Sequence, residues 1–103
     1  MSSLSTHVLD ATTGRPASDV PVRLERRDGS VVAEARTDTD GRVAKLATGL
    51  DADDYRLVFD TGSYFPDTFY PQVVVTFSVT GPEQHYHVPL LLSPFAYSTY
   101  RGS

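Results

Sequence analysis

Apolar and polar residues alternate with a period of two through much of this chain. In VPVRLERR (20–27), Val20, Val22 and Leu24 fall on one face while Arg23 and Glu25 fall on the other. That pattern predicts a strand with one side on a core and one toward water. Segments rich in valine, leucine and aromatic residues recur about every 8–15 residues, separated by Gly, Pro and Asp clusters. THVLD (6–10) predicts a short first strand, followed by the turn-rich connector ATTGRPASD. Asp28-Gly29 is a hairpin signal that returns the chain through VVAEARTD (31–38). The turn TDTDGR leads into a short VAKL strand, and DYRLVFD (54–60), QVVVTFSV (72–79) and HYHVPLLLS (85–93) predict three more. TGSYFPDTFYP, with its prolines and aromatics, predicts a packed loop with one helical turn after Asp60. FAYSTYR, after Pro94, is the last extended segment. The expected fold is all-β, an antiparallel β-sandwich of about seven to eight strands with one short helix.

One segment departs from the alternation. Residues 88–92 are apolar at successive positions around Pro89, so both faces of that strand want cover. An antiparallel sandwich normally leaves one face of each sheet wet, so another subunit is the simplest cover for the second. The chain has 103 residues, and a single domain over residues 1–103 is expected. A formal net charge of -4 argues against a nucleic-acid or anionic-membrane surface. No segment approaches the ~20 apolar residues of a membrane span. The opening MSSLSTHVLD lacks a basic region followed by an apolar one, so no secretory signal is expected and the expected location is cytoplasmic. Cysteine is absent, which removes disulfides, thiolate nucleophiles and Cys-type zinc sites.

The candidate chemistry is correspondingly narrow. The histidines are His7, His85 and His87, and the last two, two residues apart on a strand, point to the same side. Imidazole is the side chain best placed to move protons near neutral pH. A His-x-His pair with a distant histidine can also hold zinc, but that spacing alone does not specify a site and no metal is assigned. Arg42 follows Asp40-Gly41 in a tight turn, where it is either a solvated residue leaving a hairpin or a rigidly projected anion ligand. No serine has a G-x-S-x-G setting and no glycine-rich phosphate loop occurs, so a hydrolase here would activate water rather than form a covalent intermediate.

THVLD, GRPA, TDTDGR, YFPDTFYPQVVVTF and HYHVPLLLSPFAYSTYRGS occur in that order over nearly the whole chain. Together they resemble the transthyretin-related family, and the terminal Tyr-Arg-Gly-Ser resembles its hydrolase branch. The resemblance implies a sandwich assembled as a homotetramer, a dimer of dimers, with active sites in the channel between dimers. It implies opening of the 5-hydroxyisourate ring by water, in urate catabolism, without a cofactor. It places the catalytic group on His7, Arg42 and His87, and substrate contacts on Tyr100, Arg101 and Ser103, with an ordered tail over residues 100–103. His85 is a supporting residue in this scheme. The other reading is a carrier that binds a small aromatic ligand in the same channel without turnover. A carrier channel favours apolar lining, which His7, Arg42 and His87 do not supply.

Overall fold

A computed structural model describes residues 2–81 and 83–102. The chain forms strands β1 (Ser3–Asp10), β2 (Arg15–Pro16), β3 (Pro21–Arg26), β4 (Val31–Arg36), β5 (Arg42–Thr48), β6 (Asp53–Phe59), β7 (Val73–Val79), β8 (His85–Ser93) and β9 (Ala96–Thr99). One sheet has the order β2-β1-β8-β9, with β5 also paired to β1; the other has the order β4-β3-β6-β7. β5 and β2 pair with successive halves of β1, over residues 3–7 and 9–10. The inward rows of the two sheets make the core. Leu4 and Val8 of β1 and Tyr86, Val88, Leu90 and Leu92 of β8 meet Val22, Leu24, Tyr55, Leu57 and Phe59 of β3 and β6. This is the expected sandwich, and the helical turn after Asp60 is a single 3-10 turn over Thr61–Ser63.

Four features differ from the alternation-based expectation. β1 begins at Ser3, ahead of THVLD, because Leu4 extends the inward row while Ser3 and Ser5 extend the outward one. The connector contributes the two-residue β2, held against Leu9 and Asp10. β1 and β8 run parallel, in register from Ser3↔His85 to Asp10↔Leu92, whereas every other strand pair is antiparallel. Finally, Glu25 does not face water: it is 5% exposed. Its carboxylate accepts from Arg23 Nε at 2.5 Å and Arg56 Nη2 at 2.6 Å. Those guanidinium groups lower its pKa through charged hydrogen bonds, first Arg23 and then Arg56, against the opposing effect of burial.

The two-sided apolar run of β8 divides as a strand must. Val88, Leu90 and Leu92 enter the core, and Pro89 and Leu91 turn to the outer face beside His7 and Leu9 of β1. The outer face of this sheet is therefore apolar toward Leu9 and Leu91 and polar toward Ser3 and His85.

Candidate active site

The parallel register of β1 and β8 assembles the polar half of that face. Ser3 lies opposite His85, and Ser5 opposite His87. The antiparallel register of β1 and β5 puts Arg42 opposite His7 on the other side. Outward rows of three adjacent strands thus converge, and the three residues expected to be catalytic lie on one face. Ser5, Thr6, Arg42, Ala44, His85 and His87 line a cavity of about 290 Å³. A larger groove of about 560 Å³ lies on the outer face of the other sheet, lined by residues such as Arg23, Glu34, Arg36 and Asp60. It contains no histidine, and its Arg23 and Arg36 are engaged by Glu25 and Asp19. The smaller cavity is therefore the candidate site for the chemistry.

Arg42 owes its position to the turn before it. Asp38 Oδ1 accepts from the backbone N–H groups of Asp40 and Arg42, each at 2.9 Å. Gly41 sits at φ 74°, and a β-carbon there would collide with the Val8 carbonyl oxygen. Only glycine tolerates both the left-handed backbone and that approach. The same closeness lets Val8 N–H donate to the Gly41 carbonyl at 2.7 Å, locking the turn onto β1. His7 Nε2 lies 2.9 Å from the Asp40 carbonyl oxygen. A carbonyl can only accept, so Nε2 carries the proton and the neutral ring keeps Nδ1 as its acceptor.

His87 is half-buried, with Nδ1 2.7 Å from Ser5 Oγ. Ser5 Oγ also lies 2.9 Å from His85 Nε2, and Ser3 Oγ lies 2.6 Å from His85 Nδ1. The His87 pKa is lowered, first by burial and then by the positive charge of Arg42, with further repulsion from His7 and His85 when those rings are protonated and a backbone hydrogen bond of Ser5 opposing. Its ordinary value is 6.5, so a lowered value leaves the imidazole neutral at pH 7. Arg42→Ala should remove the largest of the charge contributions. Titration of His87 by NMR is then expected to show its pKa rising toward the ordinary value without fully reaching it, because burial remains. An unchanged value would mean that Arg42 does not help set it.

The carboxyl-terminal tail is held in place. β9 pairs with β8 from Ser93↔Ala96 to Leu90↔Thr99, and the same register resumes past Pro89 at the His87↔Gly102 bridge. Gly102 N–H donates to the His87 carbonyl at 2.8 Å, and Thr99 Oγ1 donates to the Pro89 carbonyl at 2.7 Å. Pro89 has no N–H, which explains the gap between these contacts. A β-carbon at Gly102 would lie 2.5 Å from His87 Cδ2, so the glycine makes room for the imidazole.

Tyr100 is 59% exposed. Arg101 turns away from the histidines, with its guanidinium carbon 4.8 Å from the centre of the Tyr86 ring and Nη2 donating to Gln84 Oε1 at 3.0 Å. Tyr100 and Arg101 instead line, with Phe77, Tyr86 and Thr99, a hollow of about 290 Å³ that reaches His87 from the far side. Within one chain Arg101 is thus not brought together with His7 and Arg42. Ser103 lies outside the described residues. Ser3 and Ser5 are site residues that sequence reading missed; their alternation with His7 on THVLD's extended strand was the available signal. Among the described residues, no group of three or more His, Asp or Glu side chains is arranged to hold a metal ion.

The model of the HIUase/transthyretin family matches residues 4–102. The chain belongs to this family. It is 48% identical to 5-hydroxyisourate hydrolase of Caulobacter vibrioides, over the whole of both chains. The solved 5-hydroxyisourate hydrolase of Klebsiella pneumoniae superposes with a TM-score of 0.90 at 37% identity, covering 98% of this chain and 99% of that one. Sea bream transthyretin, solved in complex with thyroxine, superposes at 0.88 with 34% identity, covering 96% and 93%. Both kinds of family member share the backbone, so the side chains of the site must decide between them. No helix among the described residues is long and apolar enough to cross a membrane.

Proposed function

We propose that this chain hydrolyses 5-hydroxyisourate, opening the ring of that oxidised purine with water in urate breakdown. The observation that carries this reading is the convergence of His7, Arg42 and His87 on one sheet face, with the tail hydrogen-bonded to His87 itself. A hydrolase for a planar, weakly acidic ring needs a neutral base, a cation for the oxygen that gains charge, and a shaped pocket. His87 is the base: Ser5 occupies its Nδ1, which leaves Nε2 to take a proton from water. Arg42 holds the developing oxyanion, and its turn fixes it without reorganisation at the moment of reaction. His7 presents Nδ1 as an acceptor that orients the water. Arg101 turns away from this cavity within one chain, so Tyr100, Arg101 and Ser103 are assigned to the substrate pocket of the assembled protein.

The site is open in one chain, and catalysis needs water controlled. A homotetramer, built as a dimer of dimers, would close it: the sheet face that carries the polar cavity also presents the partly exposed apolar residues Leu9 and Leu91, a surface that a second copy would cover. A cytoplasmic location suits a cysteine-free chain.

The test mixes the pure protein with freshly generated 5-hydroxyisourate and follows the loss of its ultraviolet absorbance against the spontaneous rate. Acceleration proportional to protein concentration is expected. Saturable binding without acceleration would instead assign the site to a carrier, and light scattering on the same sample reports the assembly.

A further inference from the structure

Ser3, His85, Ser5 and His87 form one unbroken line of hydrogen-bonding atoms. It runs from Ser3 Oγ to His85 Nδ1 (2.6 Å), from His85 Nε2 to Ser5 Oγ (2.9 Å), and from Ser5 Oγ to His87 Nδ1 (2.7 Å). Each ring uses both of its nitrogens or keeps one for the pocket, and each hydroxyl both donates and accepts. His87, Ser5 and His85 all line the reaction cavity, and from the exposed His85 the line runs out of it to the partly exposed Ser3. Ser5, between the two rings, is only 8% exposed, so water does not easily replace it there.

We propose that this line is a proton relay, which carries the proton released by hydrolysis from His87 to solvent through Ser5, His85 and Ser3. The inference rests on the hydrolase reading. In an oxidised purine each ring nitrogen is bonded to at least one carbonyl carbon, so the nitrogen released by ring opening stays an amide-type nitrogen and is not basic. The acid formed ionises at neutral pH, and each turnover therefore leaves one proton in the cavity.

The transfer balances atom by atom. His87 Nε2 accepts the proton while His87 Nδ1–H passes to Ser5 Oγ. The Ser5 hydroxyl proton passes to His85 Nε2, His85 Nδ1–H passes to Ser3 Oγ, and the Ser3 hydroxyl proton leaves to water. No group holds a net charge at the end. Both imidazoles have exchanged tautomers, and rotation of the hydroxyls with exchange at the exposed His85 restores the starting order. Ser5 and His85 line the cavity, but the relay assigns them no role on the substrate; with Ser3 they are positioning residues that act through His87. In this chain the parallel register of β1 and β8 is what lines up Ser-x-Ser with His-x-His.

The relay is tested with His85→Gln, Ser5→Ala and Ser5→Thr in the full chain, assayed for kcat and KM at fixed pH over a range of imidazole buffer concentrations. Glutamine keeps hydrogen bonds to Ser3 and Ser5 but cannot accept a proton on one side while releasing one on the other. His85→Gln is expected to lower kcat about tenfold at low buffer with KM nearly unchanged, and added imidazole should restore it. Ser5→Ala should lose as much, while Ser5→Thr, which keeps the hydroxyl on a strand that favours β-branching, should retain most activity. If His85→Gln turns over like the wild type at low buffer, or if its loss is not recovered by imidazole, the relay is wrong although the hydrolase reading stands. A wild-type protein with no turnover overturns both. Should Ser5→Ala fail to fold, His85→Gln still decides, because its side chain is on the surface.

Discussion

Replacing His87 with alanine is expected to lower kcat by about 10²–10⁴, the usual contribution of a positioned general base. The expectation follows from what the protein does to this one imidazole. Burial lowers its pKa, and the charge of Arg42 lowers it further, as do His7 and His85 when they are protonated. Ser5 holds Nδ1, and Gly102 leaves space along the Cδ2 edge. A ring kept neutral and fixed in this way suits the proposed role of base. KM should change much less than kcat, because Arg42 and the tail still hold the substrate. Stability should change little, since the side chain is only half-buried and gives up one hydrogen bond worth about 1 kcal/mol. The sign of the pH effect separates this residue from a merely structural one. A folded pKa below the unfolded value means the unfolded chain binds more protons, so wild-type stability falls as pH drops from 6.5 toward that lower value. His87→Ala should lose that part of the acid sensitivity along with the activity. Assay at several pH values and thermal melts on the same samples check both, and full activity in the variant would remove His87 from the reaction.

The parts of this site carried by local pattern were legible in the sequence. The shared side of His85 and His87 follows from strand parity, and the projection of Arg42 follows from Asp40-Gly41 before it. The sandwich itself follows from alternation and turn residues. What local pattern does not hold is pairing between distant segments. Nothing in THVLD or HYHV says that the two strands lie side by side, still less that they run parallel with Ser5 against His87. Ser3 and Ser5 were overlooked for that reason: serine has little strand preference, and these two gain meaning only from partners about 80 residues away. Glu25 was misplaced for a related reason. Alternation put it on the outer face correctly, but Arg56, on a different strand, joins Arg23 in covering it there. The side taken by Arg101 was equally hidden, because it depends on Tyr86 and Gln84 of the neighbouring segment.

Gly102→Ala should cost nearly as much activity as the loss of His87, from a change of one methyl group. The added carbon would lie 2.5 Å from His87 Cδ2 and 3.2 Å from Cγ, well inside contact distance. Two relaxations are open, and both damage the site. The imidazole can swing away, which breaks its 2.7 Å bond to Ser5 and turns Nε2 out of the cavity. Alternatively the tail can lift, which breaks the 2.8 Å bond from Gly102 N–H to the His87 carbonyl and withdraws Tyr100. A misplacement of about 1 Å is enough to cost roughly 10² in rate, so a fall in kcat/KM of that order is expected. Folding should barely register the change, because the tail is exposed and contributes on the order of one backbone hydrogen bond, about 1 kcal/mol. Removing residues 100–103 altogether should abolish turnover with a similarly modest drop in Tm, a few degrees for a domain of this size. The comparison of rate with Tm is what decides the matter. A truncated chain that melted far below the wild type would make the tail a structural brace, and one that kept its activity would place the substrate contacts elsewhere on the sheet.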